Sequence, residues 1–296
     1  MSEKYSTELK ASTGFMAKES RMSLLRANWW KLICIVLIAL VTRVLLLQLL
    51  PLRSSSTFEL PLSIISQKIG MIPTAAIVVT LSYTVIASVL IIIQEGLPNN
   101  KFERMILCSL PYSLIWFMAV LESVSSLGKP FLPELFIGLS DIVPILIMGI
   151  MVSFWVSKDT TRQQVIFHRP KVISIFIIAF TYFVGRYFLY TFIHINSGYF
   201  SQMNATFLWT LAMGLAIGLA YYMLYGGLKG SKPFSRGVWF GCTAFGLYWT
   251  LNNFFMPIVF DISFIPVDPP ILNYVYRVIG DAVFVSFGVW IVEKAV

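Results

Sequence analysis

Charge is scarce in this chain. Of its 296 residues, 12% are Asp, Glu, Lys or Arg, about half the share of an ordinary soluble domain. Histidine occurs twice, at His168 and His194, and cysteine three times, at Cys34, Cys108 and Cys242. An odd set of scattered cysteines inside apolar segments excludes a disulfide framework. Two separated histidines and no Cys cluster leave no metal motif, and no metal or other cofactor is expected. The sequence also lacks a Gly-x-Ser-x-Gly elbow, a P-loop and a dinucleotide fingerprint. No histidine stands mid-segment to activate a serine. The balance is therefore against an enzyme, and no catalytic residue is assigned. No basic run is long enough to track phosphates, so nucleic acid is not expected as a partner.

What the chain has in excess is apolar surface. Hydrophobic residues make up 57% of it, and its mean hydropathy is +0.79. A soluble globule of this size could not hide that much apolar area. The expected class is an all-α polytopic membrane protein with the lipid bilayer as its surroundings. A spanning helix needs about 20 mostly apolar residues. Eight segments meet that length: 31–52, 70–94, 105–127, 131–156, 171–194, 205–228, 237–259 and 271–293. The first is too long for a cleaved signal sequence and is expected to act as an uncleaved anchor.

Basic residues set the orientation, because Lys and Arg accumulate in cytoplasmic loops. With the N-terminus cytoplasmic, sixteen of the 22 fall inside, three (Arg53, Lys68 and Lys129) outside, and three within spans. The bias places both termini in the cytoplasm and makes the number of spans even. The plasma membrane is the expected location. Trp29 and Trp30 mark the cytoplasmic start of the first span, and Phe15, Met22 and Leu25 share one side of the segment before it.

An internal duplication is visible in two loops. Residues 96–104 read Gly-Leu, three residues, Lys101-Phe102, one residue, Arg104. Residues 227–236 repeat this around Lys232, Phe234 and Arg236, with one inserted proline. Arg43 matches Arg186, Thr80-Leu81 matches Thr210-Leu211, and Asp141 matches Asp281. The offset changes only across loops, as it should in a duplication. The expected organisation is a cytoplasmic segment 1–27, a four-helix unit 28–157, a polar linker 158–169 and a second four-helix unit 170–296. Four spans per unit make the copies parallel, related by a twofold axis along the membrane normal.

Charges inside the spans are the candidate site. Arg43, Glu122, Asp141, Arg186, Arg277 and Asp281 each cost about 2.5–3.5 kcal/mol or more at a bilayer centre if unpaired. Depth lets Arg43 pair with Asp141 and Arg186 with Asp281. Arg277 and Asp281, at i and i+4, share a helix face. Glu122 lies near the outer end of its span, and Asn252 and Asn253 occupy its counterpart region. Pro144, three residues from Asp141, is expected to break the helix there. These charges either lock each unit or line a polar path between the units.

Two functions follow. One is a transporter or channel for a small polar or anionic solute, with its path at the interface of the copies. The other is a non-transporting assembly, immunity or accessory subunit. Its cytoplasmic loops, with Lys101, Phe102, Arg104, Lys232, Phe234 and Arg236, would dock a membrane-protein partner. An intramembrane lipid enzyme stands third, without a nucleophile or metal to carry it.

Overall fold

The computed structural model describes residues 24–49, 61–98, 100–156, 170–228, 230–263 and 269–295. Phe15, Met22 and the linker 158–169 lie outside the described residues. Among the described residues no strand forms, and one antiparallel bridge joins Leu62 to Phe260. The elements are α1 (Trp29–Leu49), α2 (Ile64–Ile69), α3 (Met71–Ile93), α4 (Lys101–Leu127), α5 (Phe131–Met151), α6 (Ile173–Phe188), α7 (Met203–Leu224), α8 (Pro233–Val238), α9 (Gly246–Val259) and α10 (Pro270–Ala295). Wider π-type turns prolong α5 over Val152–Val156 and α6 over Leu189–Ile193.

Local chemistry sets several of these ends. Asn100 caps α4 by accepting a hydrogen bond from the Phe102 amide at 3.0 Å. The same helix stops at Gly128, whose φ of +66° suits a residue without a Cβ. Ser63 caps α2, accepting from the Ser66 amide at 3.1 Å, while its own hydroxyl donates to the Ile258 carbonyl at 2.6 Å. That bond ties the short helix to the end of α9.

Among the described residues, seven helices, counting their continuations, are long and apolar enough to cross a membrane: α1, α3, α4, α5, α6, α7 and α10. Large apolar side chains remain exposed along them. On α1 they include Ile33, Leu37, Val41 and Val44. Water would penalise this surface, whereas lipid accepts it. The chain is an integral membrane protein by this criterion.

Segment 237–259, expected as one span, is built differently. It winds as α8, then a seven-residue π segment, Trp239–Phe245, then α9. No single α-helix there reaches spanning length. Gly237 and Gly241 lie along the irregular stretch, and a Cβ at either would run into Ser286 or Ala282 on α10. Close glycine packing and wide winding occur together here. Pro144 gives a second correction. α5 continues from Phe131 through Pro144 to Met151, so the expected break at Asp141 is absent.

Helix neighbours define the bundle. α1 packs on α3 and α5, and α5 on α4. α6 packs on α7 and α10, and α10 on α8, the π segment and α9. The most extensive packing between these groups is of α4 with α7 and α3 with α9. Gly214 and Gly218 let α7 approach the backbone of α6 at Ala179 and Ile175. The short turns after α3 and α7, Gln94–Gly96 and Tyr225–Gly227, meet each other. Aromatic residues fill the centre. Trp116 stacks on Tyr248 at 5.5 Å, and the Tyr112 hydroxyl donates to the Ala244 carbonyl at 2.8 Å.

Candidate functional site

Asp141 stands ten residues into α5 from Phe131, roughly 15 Å along the axis. The Nη2 of Arg43, on α1, lies 2.9 Å from its Oδ2. Trp116, from α4, donates its indole N–H to the same oxygen at 3.1 Å. The three neighbours α1, α4 and α5 thus each supply one member of an Arg–Asp–Trp set.

A second set has the same composition. Arg186 on α6 approaches Asp281 on α10, Nε to Oδ1, at 2.7 Å. Trp249 on α9 donates its indole N–H to Asp281 Oδ2 at 2.7 Å. Sequence alone does not join these tryptophans to the charges, yet their spacing of 133 residues falls among the offsets of the other matched positions. That spacing was the available signal.

The two sets differ in access. The Arg186 side chain is 0% exposed and that of Asp281 1%. Tyr182, Tyr190, Trp209 and Trp249 surround the guanidinium, with ring centroids 5.2–5.9 Å from its carbon. Their electron-rich faces stabilise the cation where water is absent. Arg43, by contrast, is 17% exposed, and it lines a cavity with Asp141.

That cavity is about 250 Å³. Its walls include Lys129 and Asn196, in the loops after α4 and α6, so it reaches one end of the bundle. Deeper in lie Arg43, Asp141, Glu122, Arg277, Asn252 and Asn253. The cavity therefore draws on α1, α3, α4 and α5 and also on α9 and α10. Arg186 and Asp281 are not among its lining residues.

Arg277 pairs with Glu122 across the α4–α10 boundary rather than turning to Asp281 on its own helix. Glu122 Oε1 also lies 3.5 Å from Arg186 Nη1. One carboxylate thus links the open cavity to the sealed pair behind it. Near the mouth, Lys129 Nζ lies 3.4 Å from Glu134 Oε1, and the Ser123 hydroxyl donates to Glu134 Oε2 at 2.7 Å. Glu134 was passed over in sequence because it sits in the first turn of its helix, where an acid also complements the dipole.

The matched loops divide by residue. Phe102 and Phe234 are 68% and 69% exposed. Arg104 is buried, its Nε donating to the Pro98 carbonyl at 2.9 Å. Arg236 is engaged with Tyr225 and Glu293 at 2.9 and 3.0 Å. The arginines hold the loops in place and leave the phenylalanines outward. Lys101 is half-buried and Lys232 exposed.

Compared with known proteins, the chain matches no family model, no curated protein and no solved structure. Its chemistry must be read from its own geometry. The described residues contain no His/Cys/Asp/Glu group able to hold a metal ion. The cavity offers hydrogen-bonding and charged groups between the apolar helices, with Trp116, Val78, Val79, Phe255 and Met256 as apolar wall. It is suited to binding a small polar molecule.

Proposed function

We propose that the chain is a multi-pass carrier of the plasma membrane for a small polar solute, binding it at the Arg43–Asp141 floor of the cavity. The carrying observation is that charged groups at bilayer depth border an opening to one end of the bundle. Intramembrane charges beside a polar cavity mark solute paths more readily than they mark scaffolds. The sealed Arg186–Asp281 pair then serves as the packed counterpart, and Glu122 couples the two.

In this reading the chain is two parallel four-helix units, 28–157 and 170–296, with α8 to α9 completing an eighth crossing. Three features support it. The Arg–Asp–Trp sets use the first, third and fourth helix of each unit. The neighbour pattern of α1, α3, α4 and α5 recurs in α6, α7, α8–α9 and α10. The loops carrying Phe102 and Phe234 share one sequence pattern. The excess of Lys and Arg at the loop end that includes Lys101 and Lys232 supports cytoplasmic termini, with the cavity mouth outside.

A second reading, an accessory subunit docking a membrane-protein partner, draws on the exposed Phe102 and Phe234. It leaves the cavity without a role. Flux separates the two. The purified chain in proteoliposomes should exchange at least one class among radiolabelled small carboxylates, amines and amino acids. Arg43→Gln and Glu122→Gln should abolish that exchange, and Phe102→Ala should not. Exchange at the level of protein-free vesicles for every class, or Arg43→Gln equal to wild type, would overturn the carrier reading.

A further inference from the structure

The polar atoms at the cavity floor are used unevenly. Asp141 Oδ2 takes both the Arg43 Nη2 and the Trp116 indole N–H, while Asp141 Oδ1 and Arg43 Nε and Nη1 have no hydrogen-bond partner among the described residues. Buried donors and acceptors are nearly always satisfied, and leaving them unmade is costly. These atoms are themselves shielded, and Arg186 and Asp281 are underbonded in the same way, but only the Arg43 and Asp141 side chains, paired at 2.9 Å, border the cavity.

From this juxtaposition, and resting on the carrier reading above, we infer that the solute is a small zwitterion built like an α-amino acid, with an apolar side chain. Its carboxylate takes the Arg43 guanidinium where it borders the cavity, a planar fork that matches two oxygens. Its ammonium meets the Asp141 carboxylate beside it. In such a molecule the two charged groups share one carbon, so they lie within roughly 3 Å of each other by ordinary bond lengths. One such molecule can therefore meet two adjoining side chains of opposite charge, as Arg43 and Asp141 are.

Charge balance points the same way. The charged residues around the cavity are Arg43, Lys129 and Arg277 against Glu122, Glu134 and Asp141. A simple anion at the floor meets the Asp141 carboxylate, and a simple amine meets the Arg43 guanidinium. A zwitterion meets an opposite charge at each end. Val78, Val79, Phe255 and Met256 give the side chain an apolar wall. A volume of about 250 Å³ is below the usual range for drug-sized ligands, which fits a molecule of amino-acid size. The Arg186–Asp281 set, with the same residue types, does not border this cavity and would not bind.

The test uses three probes that differ by one group: L-leucine, 4-methylpentanoate, which lacks its ammonium, and 3-methylbutylamine, which lacks its carboxylate. Binding to the purified full chain is followed by calorimetry and by the shift in thermal unfolding in detergent. L-leucine should bind at least about tenfold more tightly than either analogue, the scale expected for one charged hydrogen-bonding group. Arg43→Lys and Asp141→Asn should each weaken leucine by about tenfold or more while keeping the wild-type elution volume. Equal binding of 4-methylpentanoate, unaffected by Asp141→Asn, would overturn the zwitterion and leave a carrier of anions. Equal binding of the amine, unaffected by Arg43→Lys, would leave a carrier of cations. If none of the three binds, the ligand class is wrong, and the flux comparison above decides separately whether the chain carries anything.

Discussion

Arg186 shows how much rests on single side chains. It is fully buried, and its charge is balanced by Asp281 and Glu122 within a ring of aromatic residues. Removing one partner of such a pair typically costs about 3–5 kcal/mol, because the other charge is stranded. Asp281→Ala should therefore lower the unfolding temperature in detergent more than the double substitution Asp281→Ala/Arg186→Ala does. Differential scanning fluorimetry reads this directly, and a double variant less stable than the single would refute the pairing as the source of stability. At this scale the sequence was informative where depth decided. Helix rise alone placed Arg43 level with Asp141 and Arg186 level with Asp281. It failed where a neutral donor was involved, since Trp116 and Trp249 look like ordinary apolar content until their N–H groups are seen on carboxylates. It could not reach the ion-pair partner of Arg277, because Glu122 comes from a facing helix, which spacing cannot reveal.

Elements were legible by length and composition. Seven of the eight expected segments form helices of spanning length near their expected positions. Segment 237–259 is helical too but changes winding within its length, and a run of apolar residues carries no mark of such a change. Gly237, Gly241 and Gly246 were a hint in that stretch. Pro144 misled in the other direction. Proline removes one backbone donor, and the helix can absorb that loss without ending. The Gly214 and Gly218 stripe was read as a packing face, and both glycines meet the α6 backbone. Gly218→Val would put a branched side chain against the Ile175 carbonyl. Overpacking of this kind costs about 1–3 kcal/mol, so the variant should unfold several degrees below wild type and release α7 to earlier proteolysis. An unchanged unfolding temperature would mean that the two helices do not meet as described.

At the scale of the whole molecule, the account depends on one arrangement: a site at Arg43 and Asp141, reached from the loop end bearing Lys129. Loop charge suggested which end faces outward. The sequence could not show that one Arg–Asp pair is open and its match sealed, because that difference lies in aromatic packing contributed by α6, α7 and α9. Single cysteines in a background lacking Cys34, Cys108 and Cys242 measure it. Asn252→Cys lines the cavity, Phe102→Cys sits at the opposite loop end, and Thr210→Cys lies beside the sealed pair, where its hydroxyl meets Tyr190. With an impermeant thiol reagent added outside intact cells, Asn252→Cys should be labelled, Thr210→Cys should stay unlabelled, and Phe102→Cys should react only after the membrane is opened. Labelling of Phe102→Cys from outside, or protection of Asn252→Cys from outside with labelling after the membrane is opened, would contradict an outward-facing binding cavity.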